Sequence, residues 1–282
     1  MATTGHSVPQ ADAYSSHERR RKLIAGVEEL LRRYYPPAAD PYRIFEREIT
    51  SFLQPAHSIL DAGCGASAAL LRMFAPQCAH STGVDEVEFA NDAAEDAAEH
   101  RVRLINARLE DLPLEPASVD LVFSRSVLEH LADPSRVFSE FVRVLKPGGR
   151  FVFITPNVWS YPVAAARLVP NRFHAAIVDW AEGRPDADTF ATFYRTNSMR
   201  AVRRSAVRAG FEVTSLRYLG MFPNYLMFHP LAFRIGVGYE RLVGRWRPLH
   251  FLQHWILGVL TKPGHADCNE PAASAAVYQR RA

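Results

Sequence analysis

The sequence predicts an α/β protein built on a doubly wound, mostly parallel sheet, and three observations carry that reading. Strand-like apolar runs alternate with helix-like segments from residue 56 to residue 154. The first run, Ser58-Ile59-Leu60-Asp61, passes through Ala62-Gly63-Cys64-Gly65 into a helix, so glycines without Cβ atoms let the backbone turn sharply in front of free helical N–H groups. The second run, His80-Ser81-Thr82-Gly83-Val84, ends in Asp85, about twenty residues on, where a carboxylate at a strand tip can take both hydroxyls of a ribose.

The elements follow in order. Residues 1–16 are polar and carry too little apolar surface to offset ordering, so a disordered tail is expected. His17 to Tyr34 reads as a helix with Leu23, Ile24, Val27, Leu30 and Leu31 on one face. After Pro36-Pro37, Tyr42 to Leu53 repeats the pattern with Ile44, Phe45, Ile49 and Phe52. These two make an N-terminal helical unit over 17–55, and the catalytic-type domain is expected over 56–263. Its strands fall at 56–61, 80–85, 102–106, 119–123, 150–154, 211–219 and 255–261. Helices fall at 67–74, about 88–98, 134–145 and 196–209, the last ended by Gly210. A loose tail is expected over 264–282.

Two insertions interrupt the pattern. The first, 156–195, carries Trp159, Tyr161, Phe173, His174, Trp180, Phe190, Phe193 and Tyr194 at a place where loops lie over the carboxyl ends of strands, so it reads either as a substrate lid or as a fixed cover. The second, 218–253, is aromatic and apolar, and between Arg217 and Lys262 Glu240 is the sole acid among the basic residues. It reads as a hydrophobic hairpin on the sheet edge or a homodimer face, or as a peripheral contact with a membrane and a lipid-linked substrate. Pro223, Pro230, Gly236, Gly238 and Pro248 break it too often for a membrane span.

Composition sets limits. The chain has 282 residues, 48% of them hydrophobic, enough for a large core. A net charge of +3 makes no case for nucleic acid, and with only Lys22, Lys146 and Lys262 as lysines the arginine excess reads as codon usage. Cys64, Cys78 and Cys268 have neither metal-ligand nor disulfide spacing, so a reducing compartment and no metal are expected, with Cys64 filling a small slot in the glycine turn. The first residues lack an apolar signal core and no stretch reaches about eighteen apolar residues, which predicts a cytoplasmic, non-spanning protein, with a peripheral position at the inner membrane surface under the membrane reading of 218–253.

The blocks LDAGCG, GVD, LEDLPL, VDLVFS, VLEHL, RVLKPGG and TPN, covering about residues 56–157, together resemble the class I S-adenosylmethionine-dependent methyltransferases. Within them the resemblance is to the small-molecule subgroup that includes quinone-biosynthesis enzymes. It implies a Rossmann-like seven-stranded sheet whose last strand is antiparallel, N-terminal helices capping the cleft, and S-adenosylmethionine at the strand carboxyl ends. Asp61, Ala62, Gly63 and Gly65 then face the cofactor's amino-acid end, Asp85 and Glu86 its ribose, Asn106, Ala107, Arg108 and Leu109 its adenine, and Ser124 the methyl side. The chain departs from the family in two places. The adenine-contacting position after the third strand, usually an acid, is here Asn106 or Arg108 depending on alignment, and Ala66-Ser67 replaces the third glycine, with Ser67 expected to act as helix N-cap.

Methyl transfer needs alignment and at most one base. His130 is a candidate base or a structural histidine; His174 and Tyr194 are rivals in the first insertion. Ser124-Arg125-Ser126-Val127 lacks the Asp/Asn-Pro-Pro-aromatic run of enzymes that methylate exocyclic amines. The leading expectation is O-methylation of a small molecule or lipid-linked glycan. A cofactor-binding protein with lost or different activity comes second, and a protein or RNA methyltransferase third.

Overall fold

The computed structural model describes residues 27, 29–89, 102–168, 191–223, 226, 227 and 229–264. The expected helix near 88–98, most of the first insertion with His174, most of the first N-terminal helix and both tails lie outside them.

Seven strands form one sheet in the order β3-β2-β1-β4-β5-β7-β6. They are β1 (Ser58–Ala62), β2 (His80–Asp85), β3 (Val102–Asn106), β4 (Val119–Arg125), β5 (Leu145–Pro156), β6 (Glu212–Leu219) and β7 (Trp255–Thr261). The first five run parallel, and β7 is inserted antiparallel between β5 and β6, as expected. Strand order reverses between β1 and β4, which opens a crevice at their carboxyl ends.

Alternation along the buried strands decides the two layers, because successive side chains point to opposite faces. On one face Ile59, Leu121, Phe123, Val152, Ile154 and Leu257 meet Phe45 and Ile49 of α1 (Pro41–Thr50) and Leu70, Leu71 and Phe74 of α2 (Ala69–Phe74). On the other, Leu60, Val122, Phe151, Phe153 and Ile256 meet α3 (Pro134–Val144) and later, across 191–198, the second covering helix (Met199–Ala209). Phe138, Phe141, Phe151 and Phe211 pack there edge to face or tilted, each burial worth about 2–3 kcal/mol.

After β5 the chain enters α4 (Tyr161–Leu168). Asn157 directs that exit: its buried amide donates to the carbonyls of Phe251 and Gln253 at 2.6 and 2.8 Å, and its own carbonyl accepts from Ser160 Oγ. The covering helix α5 (Met199–Ala209) starts later than expected, because Ser198 is its cap, accepting from the Ala201 N–H at 3.3 Å, while Thr196 and Asn197 stay buried in the preceding loop. Gly210 ends it at φ 97°, the left-handed conformation that glycine adopts without a Cβ penalty.

The second insertion is not a hairpin. It contains the 16-residue α6 (Pro230–Arg245), begun by Pro230 at its first turn and running through Gly236 and Gly238. Gly236 is required by contact, since a Cβ there would stand 2.5 Å from Pro223. The inner face of α6 packs Phe233 and Val237 on Val27 and Leu30, so the N-terminal helix and the insertion, placed in separate units by sequence, share one apolar cluster. Among the described residues no helix is long and apolar enough to cross a membrane.

Candidate functional site

The glycine turn is built from backbone. Gly63 (φ 80°) donates to the Val84 carbonyl at 2.8 Å, and a Cβ on it would lie 2.4 Å from Val127 Cγ2, so only glycine fits. Cys64 does fill a slot: its Sγ comes within 2.8 Å of where a Gly83 Cβ would be. Gly65 (φ 70°) has nothing within 4 Å of its missing side chain, so its face is open. The cap of α2 is Ala68 in the left-handed conformation (φ 46°), without a side-chain cap bond. Ser67 therefore does not perform the expected capping, because the turn continues one residue further before the helix begins.

Asp85 Oδ2 accepts the Gly65 N–H at 2.8 Å and Oδ1 accepts that of Val87 at 3.2 Å, which locks the glycine turn to the end of β2. Each carboxylate oxygen has a second lone pair, so both retain accepting capacity. Asp61 is 2% exposed, and its Oδ2 has no hydrogen-bond partner. Burial, offset in part by Arg125 and reinforced by Asp85, pushes its carboxyl up to about 8. Ala62 beside it is wholly buried. At the tip of β4, Ser124 is fully buried with an unpartnered Oγ, and Ser126 takes a left-handed φ of 56° while donating to the Ile154 carbonyl. A non-glycine residue held there stores about 1–3 kcal/mol, which the paired strands must over-determine.

Beyond β3 the four expected residues split. Asn106 donates its amide to the Val87 carbonyl at 2.9 Å, tying the two strand ends together, and the Ala107 N–H reaches the Asp85 carbonyl. Leu109 is buried in the core. Arg108 is exposed and sits between Glu86 and Glu110 at 3.7 and 3.4 Å. The carboxylate of Glu86 is thereby matched to Arg108 at the rim.

The turn Leu128–His130 receives the end of the first insertion. The Glu129 carbonyl accepts from Phe193 and Tyr194 at 2.7 and 3.1 Å, Thr196 Oγ1 donates to Leu128 O, and Arg195 donates to Ala132 O. His130 Nδ1 lies 3.0 Å from the Ala191 carbonyl. A carbonyl only accepts, so Nδ1 donates this bond. Tyr194 itself adopts φ 51°, its N–H held by Glu129. The Glu129 carboxyl is 5% exposed and bonded by Thr155 Oγ1 at 3.0 Å; burial pushes it up to about 7. Asn197 completes this network by donating to Thr155 Oγ1 at 2.7 Å.

Sequence reasoning gave no site role to Trp255, Met221 or Gln253. Arg125 lies over the Tyr42 ring at 5.4 Å, and Tyr42 meets Trp255 at 5.2 Å, a stack that continues the strand-end edge away from Asp61. A cavity of about 860 Å³ lies among the N-terminal helix, α1, the end of β6 and α6. Glu240 had a visible signal as the sole acid of its segment; the others had none.

A methyltransferase domain family matches residues 60–153. A probable S-adenosylmethionine-dependent methyltransferase of Mycolicibacterium smegmatis is 35% identical over 156 residues, 53% of this chain and 59% of that protein, so the match spans less than two thirds of the relative. A ubiquinone biosynthesis O-methyltransferase of Coxiella burnetii is 29% identical over 179 residues, 57% of this chain and 75% of that protein. Among solved structures, a geranyl diphosphate methyltransferase in complex with GPP and sinefungin aligns with TM-score 0.52 at 18% identity, covering 77% of each chain. A methyltransferase from Methanosarcina mazei aligns with TM-score 0.51 at 19% identity, covering 77% of this chain and 97% of that one. These two likenesses concern the fold.

Proposed function

We propose that this chain, which belongs to the class I S-adenosylmethionine-dependent methyltransferases, methylates an oxygen of a small, largely apolar or lipid-linked acceptor. The observation that carries the site is the open face of Gly65 locked to Asp85 beside the unpartnered Asp61 Oδ2. Those groups fit the cofactor: a buried carboxylate without a partner suits an ammonium, and two carboxylate oxygens with lone pairs to spare suit vicinal hydroxyls.

In this reading Gly63 and Gly65 bring backbone N–H groups against the ligand, with Ala62 walling the turn. Asp85 takes the hydroxyls, and Glu86 holds Arg108 at the rim. Asn106, Ala107 and Leu109 border the base, Leu109 with an apolar surface and Asn106 with its carboxamide. When bound, S-adenosylmethionine supplies a methyl group already activated by its sulfonium, so the protein's contribution is alignment and exclusion of water. Ser124 orients at the end of β4. His130, its ring fixed by the bond from Nδ1 to the Ala191 carbonyl, is the candidate base, and Tyr194 is held in the same turn. Support for oxygen as the target comes from the likeness to the O-methyltransferase relative and from the sequence Ser124-Arg125-Ser126-Val127.

The outer face of α6 supports a peripheral membrane contact. Leu231, Ile235, Leu242 and Trp246 are 60, 65, 50 and 57% exposed, and their spacing places them on one stripe about 22 Å long. Arg234, Arg241 and Arg245 flank that stripe on one shoulder, and the sole acid of the helix, Glu240, is on the buried face. Anionic lipid matches both features.

Calorimetry with S-adenosylhomocysteine tests the site: Asp85→Ala is expected to weaken binding by about a hundredfold, and unchanged affinity would remove Asp85 from it. Flotation with anionic and neutral vesicles tests the surface. Binding to anionic vesicles that falls with salt is expected, while a protein that never floats and instead dimerises through α6 overturns the membrane contact.

A further inference from the structure

The cavity beside α6 is walled by Tyr34, Tyr35, Ile44, Leu219, Met221 and Phe222 and has two glycines in its lining, Gly220 and Gly244. A Cβ on Gly220 would lie 3.4 Å from Glu240 Oε2 and 3.9 Å from Gln253 Nε2, and one on Gly244 would lie 3.6 Å from Gln253 Nε2, so the missing side chains help leave the space. At its inner end Glu240 is 9% exposed, and its Oε2 meets only the Met221 N–H, at a long 3.5 Å. The Tyr35 hydroxyl is buried without a partner while its ring is held edge-on by Phe222 and Phe233 at 6.2 and 6.4 Å. Arg32, Arg43 and Arg241 line the same cavity and are exposed, with Arg241 over the Tyr34 ring at 4.8 Å. A cavity with unsatisfied polar groups inside and cations at the rim calls for a specific kind of occupant.

We propose that this cavity is the acceptor chamber of the methyltransferase, taking an apolar molecule that offers a hydroxyl to Glu240 and Tyr35 and an anionic group to the arginine rim. The chamber lies at the carboxyl end of β6, on the sheet edge that carries the cofactor crevice and three strands along from β4. Burial lifts the Glu240 carboxyl to about 7 and, with Glu240 next to it, lifts the Tyr35 phenol above its ordinary range, so the inner end favours a neutral hydrogen-bonding group over a charged one. Arg241 lines the cavity and is exposed on the shoulder of α6, so an amphiphile leaving a membrane surface would meet the chamber mouth there.

The proposal rests on the reading of an apolar acceptor, and binding measurements separate the two. With S-adenosylhomocysteine present, 10-hydroxydecanoate is expected to bind about tenfold tighter than decanoate, which lacks the hydroxyl, and than 1-decanol, which lacks the charge. Tyr35→Phe removes only the phenolic oxygen and should erase the preference for 10-hydroxydecanoate over decanoate. Arg241→Gln should bring both acids down toward 1-decanol. Gly244→Leu puts a branched side chain into the chamber beside Gln253 while replacing a helical glycine with a better helix former, so it should weaken binding of all three probes without lowering the melting temperature. If Gly244→Leu binds the probes like wild type, or wild type binds none of them while still binding S-adenosylhomocysteine, the chamber assignment is overturned and the methyltransferase reading stands. Failure to bind S-adenosylhomocysteine would strike the latter instead.

Discussion

The two ends of the same sheet edge are made in opposite ways. Around β1, β2 and β4 the site is backbone: two left-handed glycines, a carboxylate clasping two N–H groups, and strand ends joined residue by residue. Around β6 and α6 the cavity is side chains, drawn from the N-terminal helix, α1, β6 and α6, and open where two glycines leave room. Backbone geometry cannot be altered by one substitution without straining the sheet, whereas a side-chain chamber can be reshaped freely. A fold that keeps one cofactor and changes its acceptor needs that division.

The largest effect that would test the contrast is at Gly63. Gly63→Val puts a branched side chain into left-handed φ with its Cβ at 2.4 Å from Val127 Cγ2, so about 2–4 kcal/mol of stability should be lost together with cofactor binding. Denaturant unfolding beside calorimetry checks both. Gly244→Leu at the other end should lose no stability; equal losses at the two glycines would erase the distinction.

That contrast also explains what could be read in advance. The turn Asp61 to Gly65 and the acid Asp85 were legible because each constraint is local: a glycine is required by the φ of its own residue, and a strand tip by its own alternation. The antiparallel last strand was legible through the resemblance. Ser67 misled because nothing local distinguishes it from Ala68 as the residue that turns into α2. The helix α6 was hidden because Gly236 and Gly238 argue against a helix by propensity, and only the approach of Pro223 shows why Gly236 stands there. Tyr35, Glu240 and Gln253 could not be joined from sequence, since their meeting depends on how the N-terminal helix docks on α6.

A smaller effect is expected at Asp61. Its folded carboxyl is raised to about 8 from an ordinary 3.8, so the native state holds the proton more tightly than the unfolded chain, and stability falls as pH rises through that interval. Asp61→Asn removes the ionisable group at nearly the same shape. In the absence of cofactor it should be more stable than wild type at pH 8.5 by about 1–3 kcal/mol, with S-adenosylhomocysteine bound about tenfold more weakly. Thermal unfolding at two pH values decides. A variant that is less stable at pH 8.5, or that binds the cofactor product as wild type does, would mean that Asp61 is a structural acid.

The smallest effect concerns the latch between Glu129 and residues 193–197, where the two halves of the edge meet. Glu129 is raised from 4.5 to about 7 by burial against the bonds from its own backbone and Thr155, so its stabilising contribution is complete below about pH 4.5 and disappears as pH climbs to 7. Asp61 and Glu240 slope the same way, so the wild-type profile alone does not isolate it. Subtracting the profile of Glu129→Gln does: the difference should fall steadily between pH 4.5 and 7 and level off above about 7.5. Amide exchange reports where that energy acts. Phe193 and Tyr194 donate to the Glu129 carbonyl, which the substitution leaves in place, so their protection at pH 5 should survive in Glu129→Gln, while in wild type it should fall by pH 7.5 as the ionised carboxylate loosens the turn. Protection that ignores pH in wild type would mean the backbone bonds alone hold the insertion, and that the buried acid contributes nothing to closing it.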